Sequence, residues 1–138
     1  MSPWALFGAA PFLLLGVLHL AQALRDVRLP KYWLPTDTQL VTAMKATGVV
    51  ATANGPGGRD LWRTWQGANI THSLGLVTLA ALVVTQTLTD GITRPLTAVA
   101  AIAGAAYSVV AFSFWFLPAG VLAALGTTGF LLATILGQ

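Results

Sequence analysis

Apolar residues gather in four long runs along the chain, at about 3–24, 61–89, 95–116 and 119–137, and each has the roughly 20 residues a helix needs to cross a bilayer. Punctuation falls between them. Arg25, Asp26 and Arg28 close the first run, which carries Pro11 as a candidate kink, and Asn54-Gly55-Pro56-Gly57-Gly58 has the composition of a helix stop and turn. Asp90-Gly91 is a tight-turn signal, Arg94-Pro95 places Pro in the first turn of the third run, and Leu117-Pro118-Ala119-Gly120 turns into the fourth. Between the first and second runs, Leu40, Val41, Met44 and Gly48 or Val49 recur at helical spacing with Asp37 and Lys45 elsewhere, and Thr36 or Asp37 is placed to cap them. The pattern predicts an all-α polytopic membrane protein: one domain, a four-transmembrane-helix bundle, and a surface helix at about 37–53 within the loop 25–60.

The polar positions inside the runs are few and ordered. Trp62, Gln66, Asn69, His72 or Ser73, and Leu76 step by three or four and share one helical face, with Arg63 and Thr71 beside it. Lipid offers such side chains no hydrogen-bond partner, so the stripe is expected to face protein. The first run contributes His19 and Gln22, three apart on one face. His19 lies six residues inside Arg25 and His72 nine inside Arg63, roughly 9 and 13 Å below one surface at about 1.5 Å per residue, so the two histidines can share a site. Ala100, Gly104 and Ser108 at four-residue steps form a small-residue face for close helix packing, within the bundle or between copies in a homo-oligomer. Tyr107 and Ser113 are further hydroxyls for a pocket, Phe112, Phe114, Trp115 and Phe116 suit an interfacial aromatic belt, and Thr127 and Thr128 are expected to bond back to their own helix.

Composition sharpens this picture. Hydrophobic residues make up 56% and charged residues 8%, with mean hydropathy +0.76, against about 25% charged in soluble proteins. The net charge of +3 does not point to nucleic acid, because six of the seven basic residues lie between Arg25 and Arg63, where they meet lipid headgroups beside Pro30, Lys31, Tyr32, Trp33 and Pro35. By the positive-inside rule that loop is cytoplasmic and both termini are outside. No Lys or Arg precedes the first run, so despite Ala21-Gln22-Ala23 it is expected to be a retained span and not a cleaved signal. The absence of Cys excludes disulfides, thiol redox chemistry and thiolate metal sites, and no metal centre is expected. Asn69-Ile70-Thr71 fits the glycosylation pattern but lies within a span.

Gathered together, His19, Gln22, Gln66, Asn69, His72 and Ser73 beneath Trp33, Trp62 and Trp65, with Arg63 at the rim, describe a polar pocket in a greasy bundle, suited to a lipophilic molecule with a polar head. The run Trp62-Arg63-Thr64-Trp65-Gln66-Gly67-Ala68-Asn69-Ile70-Thr71-His72-Ser73-Leu74-Gly75, with Gly16-Val17-Leu18-His19 and Leu34-Pro35-Thr36-Asp37, resembles small bacterial four-helix membrane proteins with the signature W-x-x-W-x-G-x-N-x-S-H-S-x-G. That resemblance implies a bacterial inner-membrane setting and no established activity. A looser one, to the membrane-associated eicosanoid and glutathione metabolism family, rests on four spans, a long first loop and Asn69 in its R-x-x-A-x-x-N-x-x-E pattern, where His72 replaces the Glu.

Three functions stay open. An enzyme or binder of a lipophilic molecule would use His72 or His19, whose unperturbed pKa is about 6.5, as acid or base, with Asn69 and Gln66 orienting the polar group. A haem b protein would take His19 and His72 as axial ligands. A structural or accessory subunit would use the stripe only to join helices.

Overall fold

In the computed structural model, which describes residues 2–32, 34–35, 37–48, 60–114 and 116–136, each apolar run becomes one long helix. The elements are α1 (Pro3–Arg28), α2 (Thr38–Ala46), α3 (Leu61–Leu88), α4 (Arg94–Phe114) and α5 (Leu117–Leu136). All but α2 are long and apolar enough to cross a membrane. A helix pairs its backbone polar groups within its own segment, as a span in lipid requires.

Helix ends follow local chemistry. Asp37 caps α2 by accepting from the Gln39 amide at 2.8 Å, and Asp60 caps α3 by accepting from the Arg63 amide at 2.8 Å. Between α3 and α4 the chain turns at Gly91, whose φ of 79° is left-handed. Several ends differ from the sequence expectation. α1 runs four residues past position 24, because Arg25, Asp26 and Arg28 are compatible with a helix and the stop comes only before Pro30. α2 ends at Ala46, where Thr47 turns extended, its carbonyl accepts from the Leu61 amide at 2.9 Å, and Gly48 pairs antiparallel with Asp60. α5 begins at Leu117, since Pro118 is tolerated in a first turn. Trp33, Thr36, Trp115, the end of the expected surface helix and the Asn54–Gly58 turn lie outside the described residues.

The chain forms two compact units, Met1–Val17 with Gly75–Gln138, and Leu18–Leu74. In the first, Phe12 stacks on Phe130 with ring centroids 5.6 Å apart and tilts against Tyr107 at 6.2 Å. Alanines surround them, among them Ala5, Ala9, Ala100 and Ala133. A Cβ on Gly129 would lie 2.6 Å from the Gly8 Cα, so α1 and α5 cross backbone to backbone. The Ala100, Gly104 and Ser108 face packs inside this unit, with the Ser108 hydroxyl 3.3 Å from that of Thr127. Thr127 and Thr128 donate to the Ala123 and Ala124 carbonyls at 2.8 and 2.9 Å, the expected back-bonding. Apolar side chains such as Ile102, Val109 and Ile135 point outward, as lipid contact requires.

Candidate functional site

The unit Leu18–Leu74 contains the last turns of α1, α2 and the first turns of α3, and with them the candidate residues of the histidine pocket, while Tyr107 and Ser113 belong to the other unit. The stripe on α3 faces α1: Trp62 and Ser73 are buried, Gln66, Asn69 and His72 are half-buried, and His19 on α1 is 5% exposed. Side-chain bonds tie the helices. The His19 Nε2 and Asn69 Oδ1 lie 3.2 Å apart, and the Gln66 amide donates to the Asp26 carbonyl at 3.1 Å.

The Asn69 amide is itself oriented. Its Nδ2 donates to the Trp65 carbonyl at 2.9 Å, which turns Oδ1 towards His19. Facing an acceptor, His19 Nε2 carries the hydrogen, and in the neutral ring Nδ1 is then the acceptor nitrogen. Ser73 donates to the Asn69 carbonyl at 2.7 Å. The His72 ring completes the cluster, its centroid 5.7 Å from that of His19 and the planes at 57°. An amide orients the His19 ring. An imidazole so placed can bind a polar head or exchange a proton with it.

Beside the cluster, Ala23, Asp26, Trp62, Trp65, Gln66 and Asn69 line a cavity of about 10 Å³, room for about one water. Trp65 is 45% exposed at its lip. Two candidates stand apart. Arg63 is exposed and ion-paired with Asp60 at 3.7 Å, and Gln22 is half-buried with no side-chain hydrogen bond among the described residues. Trp33 lies outside the described residues. A haem held by both histidines needs a macrocycle-wide slot between the rings; with His19 Nε2 bonded to Asn69 and a 10 Å³ cavity alongside, the pair as arranged does not fit one.

Asp26, which closes the first apolar run, has a further part in the structure. It is 2% exposed, and its carboxylate accepts from the Lys31 amide at 2.9 Å and the Tyr32 amide at 3.0 Å. The available signal was an Asp in the last helical turn shortly before a Pro, where the chain must reverse and its amides need acceptors.

No family model, curated protein or solved structure matches this chain.

Proposed function

We propose that this chain is an integral membrane protein that binds the polar head of a lipophilic small molecule at the His19, Asn69 and His72 cluster. The observation that carries the reading is the pair of imidazoles with centroids 5.7 Å apart, one of them set by an amide that is itself held by the Trp65 carbonyl. Joining α1 to α3 needs only a donor and an acceptor, which His19 and Asn69 already supply; a second ionisable ring beside them is more than adhesion requires. His72 is the contact residue, His19 lies beside it in the orientation that Asn69 sets, and Trp62 and Trp65 wall the approach. The head enters from the half-buried edge while the tail stays among lipid, so no large enclosed cavity is needed. Proton transfer by an imidazole is the chemistry such a site adds if the bound molecule reacts.

The 10 Å³ cavity favours a second reading, in which the cluster only clamps helices in a structural or accessory subunit. Mass spectrometry of extracts from protein purified in mild detergent separates the two. An amphiphile retained by wild type and lost from folded His72→Ala and Asn69→Ala supports binding; equal retention in all three, with lower melting temperatures in both variants, establishes the clamp. The proposed setting is a bacterial inner membrane with the loop between α1 and α3 cytoplasmic, by the six basic residues from Arg25 to Arg63. A C-terminal reporter is then expected to be active outside the cytoplasm, and activity only within it overturns the orientation.

A further inference from the structure

We propose that the turn after α1 is a binding site for the phosphodiester head of an anionic membrane phospholipid. The inference rests on the membrane-spanning reading of α1 and is independent of the histidine cluster. α1 ends in Arg25-Asp26-Val27-Arg28, and the chain reverses through Leu29-Pro30 into Lys31-Tyr32. The reversal is held by the buried Asp26 carboxylate, which accepts from the backbone amides of Lys31 and Tyr32.

That capture gathers the cations. The Arg25 Cζ and the Lys31 Nζ each lie 5.6 Å from the centre of the Tyr32 ring, and Arg25 Nη1 donates to the Tyr32 hydroxyl at 3.3 Å. Arg25 and Arg28 then line an open hollow of about 560 Å³ with Leu24, Val27 and Leu29. Residues 25–32 hold three cations and one carboxylate, a net charge of +2. None of the three cations is ion-paired among the described residues, where the recorded pair is Arg63 with Asp60.

Holding like charges about one ring is unfavourable, and cation–π attraction at exposed sites offsets only about 0.5–1 kcal/mol. An anion with several acceptor oxygens satisfies guanidinium and ammonium donors together, and a phosphate is the group that Arg bonds in this way. The apolar members of the hollow choose the source: Leu24, Val27 and Leu29 are each more than half exposed, at 52%, 52% and 67%, and offer a surface for acyl chains that free phosphate would not use. The hollow also lies at the charged end of a candidate span, the level at which headgroups sit.

The test uses the full chain in nanodiscs of equal phosphatidylglycerol and phosphatidylcholine, released into native mass spectrometry, with lipid adducts counted. Wild type is expected to retain phosphatidylglycerol preferentially. The preference should fall about fivefold for each cation removed in Arg28→Gln, in Lys31→Gln and in the combined Arg25→Gln, Arg28→Gln, Lys31→Gln variant, but not in Lys45→Gln, which removes a charge that belongs neither to the hollow nor to the Tyr32 cluster. The single variants keep the result readable if the triple one folds poorly. Equal retention of the two lipids by wild type, or unchanged preference in folded Arg28→Gln and Lys31→Gln, overturns the proposal. Displacement of phosphatidylglycerol by millimolar inorganic phosphate would assign the hollow to free phosphate and overturn the lipid.

Discussion

Asn69 carries two bonds through one amide, and their directions are opposite: Nδ2 gives to its own helix and Oδ1 takes from His19 on the next. Removing it in Asn69→Ala therefore loses the cross-helix bond and the orientation of His19 together. The stability cost is expected near the membrane-protein average for one interhelical hydrogen bond, about 0.6 kcal/mol and at most about 1.7, readable by thermal melting alongside the retention assay. A larger loss would place more of the fold's stability in this residue than the contacts support. The pairing of His19 with His72 was legible beforehand, because depth on two helices is simple arithmetic at a fixed rise per residue. The ion pair of Arg63 was also legible: Asp60 three positions earlier both caps α3 and captures the guanidinium. The part played by Asp26 was not, since it depends on amides that reach it only after the backbone reverses.

At the scale of elements, two glycines with the same residue type carry opposite expectations. A Cβ at Gly129 on α5 would sit 2.6 Å from the Gly8 Cα on α1, whereas a Cβ at Gly67 on α3 meets nothing within 4 Å. Gly129→Ala should push two backbones apart and destabilise by about 1–3 kcal/mol. Gly67→Ala should stabilise by up to about 1 kcal/mol, because Ala is the better helix former and nothing opposes it. Melting of the two variants against wild type checks the pair, and a stabilised Gly129→Ala would contradict the close crossing of α1 and α5. The long helices were readable from apolar length, but their ends were read too literally from charge. α1 continues through Arg25 and Arg28 because charge alone does not end a helix, and α2 stops early because Thr47 and Gly48 are drawn into contacts with Asp60 and Leu61, distant in sequence.

For the whole molecule, four candidate spans with outward apolar side chains describe a protein solvated by lipid, and its small-residue face on α4 is occupied within its own unit. An oligomer would have to use another surface. The claim on which the functional account turns is that His19 and His72 are neighbouring rings, with His19 set by Asn69. These are the only two histidines in the chain, so protein labelled with ¹³C and ¹⁵N at histidine alone gives a solid-state NMR spectrum of two rings in a bilayer. The account predicts a ring-to-ring cross-peak between them, consistent with centroids 5.7 Å apart, and a shift of the His19 Nε2 resonance in Asn69→Ala. Two rings with no mutual contact, or a His19 signal indifferent to Asn69, would contradict it.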